Sequence, residues 1–372
     1  MSGPEDARWM RRALRLAGRG RGWTSPNPMV GAEEVRRGEE VGEGYYQKVG
    51  ARHAEALALE RAGEGARGAT VYVTLEPHSY QSRNPPCTDA LVAAGVARVV
   101  VASLDPNPQV NGEGVRQLRR AGIEVEVGLL EEAARELNAG YAKRVKTGLP
   151  LVALKAAMSL DGKIATASGE SKWITGERAR AYGHRLRASH DAVVVGLGTV
   201  LADDPELTVR QARGRDPLRV VVDSRARTPE SARLLASGDR PAVIAVTEAA
   251  PAARRRRLAK AGAEVWVVPA ASDGVEVRAL LGRVAEAGVN SVLVEGGGKL
   301  GASALAAGVV DRVYFFVAPL IIGGEGARTA VEGEGARRLA EAWRLRNLRV
   351  RRVGEDLLIT AEVLGSEGCS QG

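Results

Sequence analysis

The sequence predicts an α/β protein built as two domains. Its 372 residues exceed what one ordinary core holds. Apolar, β-rich runs alternate with helical patterns from end to end, which favours largely parallel sheets. One interruption stands out, where a helical segment stops at Gly148, Pro150 follows and "LVALKAA" begins a new strand. The boundary therefore falls near 147–150, giving domains over 1–148 and 149–364. Residues 365–372, "GSEGCSQG", read as a disordered tail.

Each element follows from local pattern. The opening "MSGPEDARWMRRALRLAGRG" is basic but carries acids and has no apolar segment with a cleavage site, so it reads as a first helix. "ATVYVTL" (69–75) and "ARVVVASL" (97–104) read as strands, and helices follow His53 and Cys87, ending near Gly63 and Gly95. "IEVEVGL" gives another strand, and "EEAARELNAGYAKRVKTG" one helix ending at Gly148. Beyond the boundary, "DAVVVGLG", "LRVVVDS", "PAVIAVT", "AEVWVVP", "NSVLVEGGG" and "DRVYFFVAPLII" are strands with helices between most of them. "RLRNLRVRRV" and "DLLITAEV" close the domain.

Composition narrows the function classes. A 45% hydrophobic and 26% charged chain is that of a soluble globular protein, and no apolar run is long enough to span a membrane. Two cysteines, one in the polar tail, cannot make a disulfide framework, so a reducing, cytoplasmic setting is expected. The net charge of +8 invites a nucleic-acid reading. Against it, the arginines are dispersed among acids, and the block "RRRR" (254–257) falls on one solvated helix face. Aromatic residues at 4% are also too sparse for a base-stacking surface.

The chemistry concentrates in two places. "RHAEALALE" sets His53 two residues before Glu55 at a helix start, and "TLEPHSYQSRNPPC" adds His78 and Cys87. A His-x-Glu followed by a Pro-Cys is the zinc-deaminase arrangement. Three protein ligands leave one zinc position open, where a water's pKa falls towards neutrality. A carboxylate that is not a ligand, Glu55, then shuttles protons. Cys87 opens a helix after two prolines, where the helix dipole favours a thiolate. The bland alternative makes His53 a helix cap and Cys87 a small buried hydrophobe. In the second half, "NSVLVEGGGKLG" places Gly296-x-Gly298-x-x-Gly301 between a strand and a helix, a pattern that lets backbone N–H groups approach phosphate.

These stretches together resemble the bifunctional riboflavin-biosynthesis deaminase–reductase family. "SPNPMVG", "HAEALAL", "TLEP", "PPCTDAL", "DPNPQVNGEG" and "LNAGYAKR" carry the likeness in the first half. "KAAMSLDGKIAT", "GESKWIT", "LRASHDAVVVG", "TVLADDPELTVR", "VVDS" and "VEGGGKLGASAL" carry it in the second. The resemblance implies a cytidine-deaminase-like α/β/α domain followed by a dihydrofolate-reductase-like α/β domain. It implies zinc-dependent deamination of 2,5-diamino-6-(5-phosphoribosylamino)pyrimidin-4-one, then NADPH-dependent reduction of the ribosyl side chain to ribityl. Assembly as a homo-oligomer, a dimer or larger, is implied too.

By position the resemblance places Ala157, Trp173, Thr199, Asp203, Ser224 and the loop Gly297, Gly298, Lys299, Leu300, Gly301, Ala302, Ser303 at the cofactor. Ser171, Arg187, Leu207, Arg210 and Glu295 correspond to substrate contacts, with Arg187 and Arg210 suited to a terminal phosphate. Lys155 and Asp161 lie inside matched motifs without an assigned role. Without the resemblance, Arg187 reads as a solvated face and Trp173 as core, while His184 and His190 read as structural.

Departures cluster in the first half. His78 stands where the family has cysteine, Tyr46 follows Tyr45 where the family has "YH", and "AEEV" puts Glu33 and Glu34 in an expected buried strand. An imidazole ligates zinc as readily as a thiolate but reaches further from its Cα, and a misplacement of ~1 Å costs on the order of a hundredfold in rate. A second reading therefore keeps only the reductase, with the first domain as a scaffold. A third, from another class, is a basic nucleic-acid binder on a deaminase-like fold.

Overall fold

In the computed structural model, which describes residues 3–81, 84–272 and 274–364, the chain divides into two compact units, residues 1–148 and 149–372. The tail expected over 365–372 lies outside the described residues.

The first unit runs α1 (Pro4–Gly18), β1 (Gly31–Arg36), β2 (Glu39–Tyr45), α2 (Ala54–Ala62), β3 (Thr70–Val73), α3 (Cys87–Ala94), β4 (Arg98–Val101), α4 (Glu113–Arg120), β5 (Glu124–Val127), α5 (Glu131–Leu137) and α6 (Ala139–Thr147). Its sheet has the order β2-β1-β3-β4-β5, with β1 antiparallel to both neighbours and β3, β4 and β5 parallel. Ala54, Ala58, Leu91, Val115 and Leu118 from α2, α3 and α4 cover one face, against Val71, Val73, Val99 and Val101. Trp9, Met10 and Ala13 of α1, with Ala134 of α5, cover Tyr72 and Val100 on the other, so the unit is an α/β/α sandwich. Gly42 and Gly44 let β2 lie directly on α2. A Cβ there would fall 2.3 Å from the Ala58 carbonyl oxygen and 2.1 Å from that of Ala54.

Two features differ from the sequence pattern. The single helix expected up to Gly148 is two, broken at Asn138. There Met29 N donates to Asn138 Oδ1 and Asn138 Nδ2 donates to Met29 O, both at 2.8 Å. This tertiary pairing outweighs local helical continuity. Strand β2, "EEVGEGY", has no apolar alternation and is specified instead by its pairing with β1 and the two glycines under α2.

Glu33 and Glu34 do sit in the interior strand β1, both fully buried. Arg12 Nε donates to Glu33 Oε1 at 3.2 Å. Neither carboxylate oxygen of Glu34 has a hydrogen-bond partner, and burial pushes its pKa up to about 7. Just beyond β3, buried Glu76 accepts from Asp105 N, Gly112 N and Val115 N at 3.2, 2.8 and 3.2 Å.

The second unit runs β6 (Leu151–Ser159), α7 (Glu177–Ser189), β7 (Ala192–Gly196), α8 (Leu197–Asp203), β8 (Leu218–Val222), α9 (Arg233–Ala236), β9 (Val243–Val246), α10 (Ala252–Lys260), β10 (Glu264–Val267), the short pair β11 (Ala270–Ala271) and β12 (Gly274–Val275), α11 (Val277–Glu286), β13 (Ser291–Glu295), α12 (Gly298–Ala306), β14 (Arg312–Ala318), β15 (Leu345–Val353) and β16 (Asp356–Val363). The nine-stranded sheet has the order β10-β9-β8-β7-β13-β6-β14-β16-β15. It is parallel from β10 to β14, and β16 and β15 add antiparallel at one edge. Valines of β6, β7, β8, β9 and β13 form its core. Because β13 returns between β7 and β6, the strand order reverses there, and such a switch point opens a crevice at the carboxyl ends of the strands. The "RRRR" block lies on α10, largely solvated, as its pattern predicts.

Candidate active sites

In the first unit, His53 precedes α2 as its N-cap and Cys87 opens α3. Both helices lead into parallel neighbours, β3 and β4, which sets their N-terminal ends on the same side of the sheet. The loop after β3 brings His78 to the same place, and Thr88 N donates to its carbonyl at 3.3 Å. The ligating atoms of His53, His78 and Cys87 all lie within 4.8 Å of one another, with His53 Nδ1 3.3 Å from Cys87 Sγ. The two imidazole rings are 4.6 Å apart between centroids, and the Tyr46 ring meets His53 edge-on at 5.5 Å. Tyr46 is itself held, since its hydroxyl oxygen accepts from Asn27 Nδ2 at 2.7 Å and Gly50 N at 3.1 Å.

The electrostatics suit a divalent cation. His53 is driven down to about 4 by burial and by the neighbouring His78, so it is neutral and its lone pair available. His78 is lowered by burial too, and its Nε2 is buried with no hydrogen-bond partner. Burial, and then Glu55, raise the Cys87 thiol, which overrides the helix-end effect expected from sequence until a cation offsets both. Glu55, 3% exposed, accepts from the Cys87 thiol, and burial raises its pKa. Two imidazoles, one of them with an orphaned ring nitrogen, and one sulfur are a donor set that zinc accepts.

In the second unit one cavity of about 700 Å³ opens at the carboxyl ends of the central strands. Ala157, Trp173, Thr199, Asp203 and Ser224 line it, as do Gly297, Gly298, Lys299, Leu300 and Ser303. Ser171, Arg187, Leu207, Arg210 and Glu295 line the same space. Gly301 and Ala302 do not. They are buried in α12, where a Cβ on Gly301 would sit 3.2 Å from Leu154 Cδ1. Their place in the glycine pattern is a packing requirement of the helix on the sheet. The turn ahead of α12 is a backbone cradle, with Gly296 at φ +83° and Gly297 at φ +75°, and a Cβ on Gly298 would come within 2.3 Å of the Thr329 carbonyl. That geometry fits a dinucleotide phosphate at a helix N-terminus.

Two residues invert their plain sequence reading. Trp173 is 68% exposed, with Arg180 over its ring at 4.6 Å, so it is no core residue. Arg187 is largely withdrawn from solvent, its side chain 14% exposed. Its Nε and Nη2 donate to Glu295 at 2.7 and 3.1 Å, and its Nη1 donates to the Thr208 carbonyl at 3.3 Å. Lys155 Nζ donates to the same carboxylate at 3.0 Å. Burial alone would raise Glu295, but these two cations outweigh it and hold the carboxyl far below its usual range.

The unassigned motif residues thus find places. Lys155 completes an ion triad on the cavity wall. Asp161 accepts from Ser159 Oγ, Ile322 N and Gly323 N, tying the loop after β6 to the segment after β14. His190 donates to the Leu186 carbonyl at 2.7 Å, and His184 Nδ1 accepts from Arg210 N at 3.4 Å, which are structural contacts. Sequence pattern gave no sign of the triad, because Lys155 and Glu295 come from strands 140 positions apart that meet only in the folded sheet.

Comparison with known proteins matches both halves of the chain. Residues 4–103 match the cytidine and deoxycytidylate deaminase zinc-binding region, and residues 150–359 match the RibD C-terminal domain. Riboflavin biosynthesis protein RibD of Escherichia coli (strain K12) is 42% identical over 368 residues, covering 95% of this chain and 98% of its own. That of Actinobacillus pleuropneumoniae is 42% identical over 359 residues, covering 96% of each chain. Among solved structures, Acinetobacter baumannii RibD, form 1, superposes with a TM-score of 0.87 at 40% identity, covering 97% of this chain and 99% of the other. The diaminohydroxyphosphoribosylaminopyrimidine deaminase/5-amino-6-(5-phosphoribosylamino)uracil reductase of Thermotoga maritima gives 0.82 at 33% identity, with the same coverage. Both halves match, which supports the bifunctional reading over a reductase on a scaffold. The chain belongs to the RibD family of riboflavin-biosynthesis enzymes, each joining a zinc-dependent pyrimidine deaminase (a hydrolase) to an NADPH-dependent reductase (an oxidoreductase).

Proposed function

We propose that residues 1–148 form the deaminase and 149–364 the reductase, acting in turn on a phosphorylated ribosylaminopyrimidine. In the first unit His53, His78 and Cys87 would hold zinc, which when bound supplies Lewis-acid activation of water. Glu55 is the proton carrier. Burial raises its pKa, and its carboxyl can pass a proton to a pyrimidine ring nitrogen or to departing ammonia. Tyr46, packed on His53 and tied to Asn27 and Gly50, keeps the first imidazole in place.

In the second unit NADPH supplies the hydride when bound. The residues' task is alignment. The turn Gly297–Gly298 and Lys299, Leu300 and Ser303 would take the pyrophosphate side, and Ala157, Trp173, Thr199 and Asp203 would flank the rest of the cofactor. Ser171, Leu207 and Glu295 would form the wall against the substrate, with Arg187 fixing Glu295. Arg210, half exposed beside the cavity, suits the substrate's terminal phosphate. A homo-oligomer, dimer or larger, belongs to the same reading, supported by Leu345, Leu348 and Val350 exposed on edge strand β15. So does a cytoplasmic setting. No helix among the described residues is long and apolar enough to cross a membrane.

The observation that carries the reading is the convergence of His53, His78 and Cys87 beside buried Glu55. The test is metal analysis of purified protein, combined with ammonia release from the diaminopyrimidine phosphate and NADPH oxidation with the ribosylaminouracil. One equivalent of zinc with both reactions is the expected result. Protein with no metal and no ammonia release would leave the reductase alone.

A further inference from the structure

The candidate metal ligands come from three segments of the first unit. His53 follows a turn after β2, His78 lies in the loop after β3, and Cys87 opens α3. Cys87 is fixed by its helix, and His53 by the turn that the Tyr46 hydroxyl anchors through Gly50 N. His78 stands in irregular chain. Thr88 N donates to its carbonyl at 3.3 Å, which holds the backbone but does not orient the ring. An imidazole has two nitrogens, and the hydrogen bond at one decides which is left to bind a metal.

Asn84 supplies that hydrogen bond. Its backbone bonds the His78 ring in the sense that stabilises a ring N–H, so its carbonyl is the acceptor. His78 Nε2 is buried with no hydrogen-bond partner, so the bond falls on Nδ1. One ring nitrogen of His78 lies within 4.8 Å of the His53 and Cys87 ligand atoms, and with Nδ1 engaged the free lone pair is on Nε2. Metal-bound histidines commonly donate their other N–H to a carbonyl in this way, which fixes tautomer and ring direction.

The same residue reaches the other two segments. Asn84 Nδ2 donates to the Ala51 carbonyl at 3.2 Å, two positions ahead of His53. Pro85 and Pro86 then join Asn84 to Cys87, with Pro86 as the N-cap of α3. Each proline fixes its own φ, and a residue before proline is held extended, so little slack separates Asn84 from Cys87. One residue therefore meets the ring of one ligand, the approach to the second and the chain leading to the third.

We propose that Asn84 is the positioning residue of the metal site, turning His78 Nε2 towards His53 and Cys87 so that an imidazole can serve at this place. The inference rests on the metal-site reading above and adds what orients its second imidazole. The tie to Ala51 sets where the Asn84 carbonyl stands, and that carbonyl sets the ring. A thiolate has no ring to orient, so the requirement belongs to His78, while His53 and Cys87 keep their own supports.

Zinc affinity of the full-length protein, measured by competition with a chelating dye, tests this in two backgrounds. With His78 present, Asn84→Ala should weaken zinc by about tenfold to a hundredfold. In the His78→Cys background the same substitution should cost less than about threefold. Asn84→Ser, one bond too short for the Ala51 carbonyl, should repeat the pattern and serves in place of alanine where that variant does not melt like the parent. Cobalt(II) loaded in place of zinc gives a second readout. Its visible absorption should change in Asn84→Ala, as a turning ring withdraws Nε2, and should not change when the substitution is made beside His78→Cys. Unchanged zinc affinity in Asn84→Ala would overturn the proposal. An equal loss in both backgrounds would overturn it too, by showing a general role in the loop. Parent protein that takes up no zinc would overturn the metal-site reading itself, and the proposal with it.

Discussion

Glu55 lies buried against Cys87 without belonging to the ligand set, so its effect on chemistry and on metal binding separates. Glu55→Gln keeps the shape and removes the proton carrier. Ammonia release should fall by about a hundredfold to ten-thousandfold while zinc content stays at one equivalent, measured on the same preparation. Loss of the metal in this variant would make Glu55 a support of the site. At this level the sequence was informative for chemistry-bearing residues, since His53, Glu55, His78 and Cys87 announce themselves by type and spacing. It was misleading for Trp173 and Arg187. A tryptophan among polar neighbours reads as core, and an arginine in a charged helix reads as solvated. Only the fold shows that one faces the cavity and the other is paired with Glu295.

Strand β1 carries its own inconsistency in Glu34, a carboxylate facing the α2 side of the sheet with neither oxygen bonded. Its folded pKa, about 7, lies above the unfolded value near 4.5. The folded state therefore binds the proton more tightly. Its contribution to stability is greatest below pH 4.5 and is lost as pH rises through about 7, a loss on the order of 3 kcal/mol. Glu34→Val should raise the melting temperature by several degrees at pH 8 and by less at pH 5, followed by thermal melting at both. An equal rise at the two pH values would mean that the charge is already relieved. Elements of regular pattern, such as β7, β8 and β13, were legible because buried parallel strands are continuous apolar runs. Strand β2 and the break at Asn138 were not, because each is decided by a partner distant in sequence, α2 in one case and Met29 in the other.

Across the chain, the candidate metal ligands all lie within residues 1–148 and the cavity proposed for the dinucleotide is lined by residues between Leu154 and Glu332. Chelation should therefore stop ammonia release and leave NADPH-dependent reduction of the ribosylaminouracil within about twofold, if each unit holds its fold alone. Parallel assays before and after zinc removal check this, and a joint loss would reveal dependence of one unit on the other. The two-domain α/β organisation was visible in the alternation of runs and the break at Gly148–Pro150, since domain boundaries follow composition. Which strands neighbour which was not, because β13 enters between β7 and β6 only through contacts made in three dimensions. The anchoring of Glu76 has a consequence for solvent access. Its carboxylate holds the amides of Asp105, Gly112 and Val115, so protons in a stretch that reads as open loop should exchange with deuterated water slowly. Pro77 and His78 follow Glu76 directly, and Glu76→Gln should speed that exchange and let the second imidazole wander, visible as slower zinc uptake.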